Sequence, residues 1–340
     1  MRWRPGLPTR PDLRTHVGSV QLANPVLTAS GTSGFGAELA PYLEPRRLGA
    51  VVTKSVAPEP WPGNPAPRLH STPAGMLNSV GLQGPGVERW LEHDLPSLVA
   101  SGARVVASIW GRRVEDFAKA AAMLADAPPA VVAVEVNLSC PNIEDRRQMF
   151  AHSPRATREV IEATSGFRRP RWAKLSPNVA DLRPIVEAAT EAGAEAVTLV
   201  NTVLGMAIDI DARRPALGGG GGGLSGPAIR PVALRAVFDT RAAFPEVAIV
   251  GVGGVSRGED AIALLQAGAN AVQVGTATFA DPRAPARVLD ELERWCTIRG
   301  VRTVEELVAA AHQQTRAQGG AVAPPISTGP IAPADPLPEQ

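Results

Sequence analysis

Cysteine is scarce in this chain. Its 340 residues hold two, Cys140 and Cys296, far apart and without CxxC spacing. That excludes a disulfide framework and a cysteine-rich zinc or iron–sulfur site within the chain, and it fits a reducing, cytoplasmic setting. Net charge is as scarce. Lys and Arg total 34 against 33 Asp and Glu, leaving +1 at pH 7, so neither nucleic acid nor an anionic membrane is expected as a main partner. No apolar run approaches the roughly 20 residues that span a bilayer. The opening stretch MRWRPGLPTRPDLR is basic and has no apolar centre, so it does not read as a secretory signal. Its prolines and Asp12 also argue against the amphipathic helix of a transit peptide. The first strand-like segment runs into TASGTSGFG, which lacks the GxGxxG spacing of an open doubly wound sheet. The six glycines Gly218–Gly223 lack the Lys-Ser/Thr of a phosphate-binding P-loop and read as a flexible loop.

Hydrophobic residues make up 44 % of the chain, enough to fill one large core. Eight short apolar segments recur: 25–30, 49–55, 104–109, 131–139, 171–176, 195–201, 247–254 and 270–276. They are rich in Val and Ile and nearly continuous in apolar character, as parallel strands covered on both faces should be. Helical patterns lie between them over 114–126, 181–193 and 258–268, with Asp181 placed to cap and Gly193 to terminate the second. Strand–helix alternation repeated eight times predicts a (β/α)8 barrel, a fold that takes about 250 residues plus insertions. Residues 16–24 predict a short hairpin closing its bottom. The predicted organisation is a tail over 1–15, one catalytic domain over 16–317, and a disordered Pro-rich tail over 318–340 that buries too little to order itself.

Barrel enzymes build their sites at the C-terminal strand ends. Those ends carry Ser30, Lys54 and Ser55, Asn137 with Cys140, Lys174, and Asn201 with Thr202; Gly251, Gly253, Gly254, Gly275 and Thr276 follow the last two strands. Any one of these is an ordinary polar residue at a loop entry. Together, two lysines, two amides and a cysteine converge on one rim. The late glycines suit a phosphate, because bare backbone lets N–H groups approach an anion. Lys54 and Lys174 are placed to stabilise anionic charge on a substrate or a reduced flavin. Cys140, held in a loop between Ser139 and Pro141, is better placed for chemistry than for packing; Cys296 lies on a late helix and reads as core.

The strings ASGTSGFG, TKSV with GNPAPR, GMLNSVGLQGPGVE, NLSCPN, KLSPNV, LVNTVLGM, GGLSGPAIRP, GVGGV and VQVGTA run through residues 16–295. As a set they resemble class 1 dihydroorotate dehydrogenases, and GMLNSVGLQGPGVE resembles the NAD-linked class 1B branch. Class 2 members carry an N-terminal membrane segment and a serine base where this chain has Cys140. The resemblance implies FMN held by Ser30, Lys54, Ser55, Asn137, Lys174, Val200, Gly226, Gly253, Gly254, Gly275 and Thr276. It implies dihydroorotate bound by Lys54, by Asn78, Ser79, Val80, Gly81 and Leu82, and by Asn137, Asn142, Asn201 and Thr202, with no metal. Cys140 would take the C5 proton as a thiolate and flavin N5 the C6 hydride, while Lys174 would sit near the flavin N1/O2 edge. It further implies orotate as product, a place in pyrimidine biosynthesis, an iron–sulfur FAD electron-transfer subunit, and a homodimer or heterotetramer.

Two departures from the family pattern stand out. The third strand ends in ASIWG, with Ser108 and Trp110 where an asparagine and a smaller residue are usual. The loop after NLSCPN reads IEDRRQMFAHS, with Arg146 and Arg147 in place of paired glycines and only Phe150 matching. Competing readings are an FMN barrel acting on another cyclic amide, a lyase forming a Schiff base on Lys174, and a catalytically silent flavoprotein.

Overall fold

A computed structural model describes residues 10–140 and 148–317. Eight strands form one sheet: β1 Val26–Thr28, β2 Val51–Val52, β3 Val105–Ile109, β4 Val131–Asn137, β5 Arg171–Lys174, β6 Ala196–Leu199, β7 Ala248–Val252 and β8 Ala271–Val274. From β2 to β8 each pairs in parallel with the next in the chain, and β8 pairs with β1. The circle closes between β1 and β2, where Leu27 bridges Ala50 and the Gly49 N–H donates to the Val26 carbonyl at 2.9 Å. Each of the eight predicted segments contains one of these strands, so the chain is a (β/α)8 barrel.

Strand residues alternate between the helix-facing and interior sides. Val26, Val51, Val105, Val134, Ala173, Val197, Ile249 and Val272 pack outward into the main core with helices such as Val114–Met123, Pro154–Ala163 and Gly258–Ala267. Leu27, Val52, Val106, Ala133, Trp172, Ala196, Val250 and Ala271 form a separate cluster inside the barrel. The predicted hairpin, Thr15–Val17 with Val20–Leu22, adds Val17, Val20 and Leu22 to that cluster and plugs the bottom. Two residues further up, the inward parity falls on Lys54, Ser108, Glu135, Lys174, Thr198 and Gln273 in six of the strands and on Ala29 and Val252 in the other two. The barrel interior is therefore apolar below and polar above, and the polar layer opens toward the strand ends.

The helix expected over 181–193 runs Arg183–Glu191. Asp181 Oδ1 accepts from the Arg183 N–H at 2.9 Å, and Gly193, at φ +92°, follows the last turn.

Two expectations need correction. The N-terminal tail was expected to extend to residue 15. Instead the Asp12 N–H donates to the Arg302 carbonyl at 2.8 Å, Arg10 pairs with Glu293, and Leu13 is buried. The glycine run was expected to be a free loop. Its end, Gly222–Ser225, is instead a strand between Gly75–Asn78 and Val203–Gly205, and Leu69–Thr72 completes this four-stranded antiparallel sheet. Glycine is needed there because a Cβ on Gly222 would come within 2.5 Å of the Asn78 carbonyl oxygen. Asn142, Arg146, Arg147 and the expected tail over 318–340 lie outside the described residues.

Candidate active site

The strand ends and the small antiparallel sheet enclose a cavity of about 880 Å³, within the usual size of a small-molecule site. Ser30, Lys54, Ser55, Asn137, Lys174, Val200, Gly226, Gly253, Gly254, Gly275 and Thr276 all line it. So do Asn78, Ser79, Val80, Gly81, Leu82, Asn201 and Thr202. Residues from seven of the eight barrel strand ends thus meet residues from the small sheet in one chamber.

Its wall is a chain of neutral hydrogen-bonding groups. Ser55 Oγ lies 3.1 Å from Ser30 Oγ and 2.8 Å from Ser108 Oγ, and it accepts from Asn137 Nδ2 at 3.3 Å. Asn137 Oδ1 accepts from Asn201 Nδ2 at 3.2 Å, and Asn201 Oδ1 accepts from the Thr202 N–H at 2.8 Å. The two amide side chains are therefore oriented by each other before any ligand arrives. Ser108, fully buried, stands behind Ser55 and does not reach the cavity. Trp110 is buried against Trp61 at a ring separation of 6.0 Å.

The two lysines differ in their surroundings. Lys54 lies 6.0 Å over the Phe35 ring, and no carboxylate among the described residues pairs with it. Burial, helped by the nearby Arg68 cation, lowers its pKa below the ordinary lysine value. A cation left without an anion in a cavity wall is a receptor for one. Lys174 Nζ, by contrast, lies 3.4 Å from Glu135 Oε1, with Glu135 completely buried.

Cys140 does not line the cavity. It is fully buried, and its thiol donates to the Asn137 backbone carbonyl at 3.0 Å. Burial pushes its pKa up to about 12, against a partial lowering by a backbone hydrogen bond from Gly111. Its neighbour Ser139 does line the cavity, and the Ser139 hydroxyl has no partner among the described residues.

The features suit FMN. Gly253 at φ +138° and Gly254 at φ +75° form a turn that L side chains rarely adopt. A Cβ on Gly254 would strike Arg230 at 2.6 Å. Asp260 locks that turn: it accepts from the Ser256 N–H at 2.9 Å, from Ser256 Oγ at 2.8 Å and from the Arg257 N–H at 3.1 Å, and it pairs with Arg230. The cleft beside Gly253, Gly254, Gly275 and Thr276 has the bare backbone that a phosphate needs, and the Ser139 hydroxyl, buried without a partner among the described residues, adds a polar group to the lining.

The sequence reading missed several contributors. Asn64 lines the cavity and donates to Ser79 Oγ at 3.0 Å. Asn178 donates to the Thr202 carbonyl at 3.0 Å and accepts from the Leu204 N–H at 2.9 Å, pinning the loop after β6. Both lie in strings already singled out, GNPAPR and KLSPNV. Glu135 and Gln273 were also missed, although inward parity with Asn137 and Gly275 marks both.

A family model described as dihydroorotate dehydrogenase matches residues 12–295. Among curated relatives, "Dihydroorotate dehydrogenase B (NAD(+)), catalytic subunit" of Desulforudis audaxviator is 48 % identical over 298 residues, covering 87 % of this chain and 96 % of the relative. The protein of the same name from Alkaliphilus oremlandii is 46 % identical over 301 residues, covering 88 % of this chain and 99 % of the relative. One from Geobacter sp. strain M21 is 42 % identical over 302 residues, covering 88 % and 98 %.

Proposed function

The chain belongs to the dihydroorotate dehydrogenase family, and from that premise we propose how its residues divide the work. It is an FMN-dependent oxidoreductase of the class 1B type that converts dihydroorotate to orotate in pyrimidine biosynthesis. The observation that carries the division of roles is the convergence on one cavity of the lysines, asparagines and glycines from separate strand ends.

FMN, when bound, supplies the acceptor for the hydride leaving C6. Gly253, Gly254, Gly275 and Thr276 would hold its phosphate with backbone N–H groups. Gly226, Val200, Ser30 and Ser55 would hold its body, with Lys174 at the barrel floor, and Lys54 and Asn137 would serve both cofactor and substrate. Lys54, lacking an anion of its own, takes the substrate carboxylate. Asn78, Asn137, Asn142 and Asn201, with Thr202 and the Ser79–Leu82 turn, match the amide edges of the pyrimidine without adding charge.

Cys140 Sγ takes the C5 proton. The base is the thiolate, so Cys140 must first give up its own proton, now donated to the Asn137 carbonyl, to solvent and turn toward the cavity edge beside Ser139; burial, which holds the thiol protonated where it now lies, is relieved by that turn. The lyase reading is not favoured: a Schiff-base lysine must present a free amine, and Lys174 is engaged by a buried carboxylate.

We also assign the electron-transfer partner to an iron–sulfur FAD subunit, the assembly to a homodimer or heterotetramer, and the location to the cytoplasm. The relatives are named as catalytic subunits, which implies a second subunit. No helix of the described residues is long and apolar enough to cross a membrane.

The test is anaerobic mixing of the FMN-loaded protein with dihydroorotate while flavin absorbance is followed. Bleaching is expected. A yellow protein that stays oxidised would overturn dihydroorotate as the substrate and point to another cyclic amide.

A further inference from the structure

We propose that Glu135 is a positioning residue for this site: it is the built-in counter-ion that holds the Lys174 ammonium in place and aimed at the cavity from the barrel floor. The inference rests on the reading that FMN occupies the cavity above Lys174.

Four strands contribute to the arrangement. Glu135 rises from β4 into the barrel interior with no exposed surface. Its Oε2 accepts from Thr198 Oγ1 of β6 at 3.1 Å and from Gln273 Nε2 of β8 at 2.6 Å. Its Oε1 accepts no hydrogen bond among the described residues and lies 3.4 Å from Lys174 Nζ of β5. One oxygen is thus fixed by two neutral donors, and the other is left for the ammonium. The commitment has a visible cost, because Gln273 Oε1 is left buried without a partner.

Packing does not explain this. The layer beneath is wholly apolar, and a pair of long apolar side chains at 135 and 174 would fill the same space without desolvating two charges. Nor does the site simply need cations, since Lys54 has none of this support. The two lysines suit different ligands. Lys54 can await a substrate anion that neutralises it. Lys174 faces a flavin ring that is neutral when oxidised and anionic only when reduced. Without Glu135 no group on the barrel floor would hold the Lys174 ammonium in place, and a buried charge with no counter-ion would swing away from the ring toward water. With Glu135 the ammonium stays aimed at the cavity whatever the redox state of the flavin.

Sulfite reports this directly. It adds reversibly to oxidised flavin, bleaches it and leaves a net negative charge, so its affinity follows the positive potential beside the ring. The FMN-loaded protein would be titrated with sulfite at pH 7. Lys174→Met is expected to weaken sulfite binding at least about tenfold, and Glu135→Gln by a similar factor. Tenfold corresponds to about 30 mV for a two-electron couple. The double variant should be no weaker than Lys174→Met alone, because Glu135 acts only through the Lys174 ammonium. Glu135→Asp should recover part of the affinity. If Glu135→Gln does not retain FMN, Thr198→Val serves instead. It keeps both charges, loosens Glu135, and should weaken sulfite about twofold to threefold.

Unchanged or tighter sulfite binding in Glu135→Gln, alongside a loss in Lys174→Met, overturns the role of Glu135. In the Thr198→Val experiment, unchanged affinity overturns it. Unchanged affinity in Lys174→Met has a different meaning: it overturns the placement of flavin against Lys174.

Discussion

The Cys140 thiol lies 3.0 Å from the backbone oxygen of Asn137, while the Asn137 side chain is bonded to Ser55 and Asn201 in the cavity wall. One residue therefore serves the site with its amide and restrains the proposed base with its carbonyl. In that position burial pushes the Cys140 pKa up to about 12. The sign follows: while the pH is below the pKa, the thiolate fraction grows about tenfold for each unit by which the pH rises. Flavin bleaching by dihydroorotate is expected to accelerate from pH 6 to pH 9. In Cys140→Ala it should be slower by about 10² to 10⁴ and lose that pH dependence. Bleaching by the alanine variant at the wild-type rate would remove Cys140 from the reaction.

Lys54 supports a separate pH argument. Its pKa lies below that of an ordinary lysine because of burial and the Arg68 cation, so its ammonium is lost at lower pH than an exposed lysine's. Affinity for dihydroorotate and orotate should therefore decline as pH rises, and at a lower pH than an exposed lysine would impose. Lys54→Gln should raise the orotate Kd by about 10- to 100-fold and remove the decline. Orotate titrations across pH, read by perturbation of the flavin spectrum, would test it. A Kd in Lys54→Gln equal to that of the parent would place the carboxylate elsewhere.

The barrel was legible because each strand is short, apolar and bracketed by turn residues, and because the polar residues gather at one end. VVAVEVNLSC shows both what could be read and what was missed. Its last residues announced the site. Glu135 was passed over as part of an apolar run, although it shares a face with Ala133 and Asn137 at a spacing of two. The small antiparallel sheet was not legible. Its strands are Gly-rich and mostly part-exposed, and Gly75–Asn78 pairs with Gly222–Ser225 from more than a hundred residues away. Period and propensity carry little signal for such long-range pairing. The turn of Cys140 away from the cavity into the main core was equally hidden, because a side-chain direction at a strand exit depends on neighbours such as Gly111 and Phe150 that arrive from elsewhere.

Ser55→Ala should destabilise the protein more than a surface serine change would. Its hydroxyl is shared by Ser30, Ser108 and Asn137, and Ser108 has no access to water. Removing it leaves buried polar groups short of a partner, which costs about 1–3 kcal/mol. A melting temperature lowered by several degrees is expected, together with weaker FMN retention. If FMN retention is unchanged, Ser55 is structural and does not hold the cofactor.

The last prediction separates the small sheet from the barrel. Gly223 is opposite Asn78 in the antiparallel register, and its carbonyl accepts from Asn78 Nδ2 at 3.3 Å. A Cβ on Gly223 would lie 2.0 Å from Thr202 Oγ1 and 2.6 Å from Thr202 Cβ. This glycine therefore sits between two proposed substrate contacts, and Gly223→Ala must push one of them aside. The proposed phosphate seat at Gly253, Gly254, Gly275 and Thr276 follows β7 and β8 and should be untouched. Gly223→Ala is expected to keep its flavin and raise KM for dihydroorotate at least about tenfold, since displacements near 1 Å at a binding group carry penalties of that order or larger. Trimming the obstacle in Gly223→Ala/Thr202→Gly should restore the sheet without restoring the lost hydroxyl. The double variant should then match Thr202→Gly alone in KM, and a double variant with a much higher KM would show that the sheet itself, and not Thr202, is what the glycine protects.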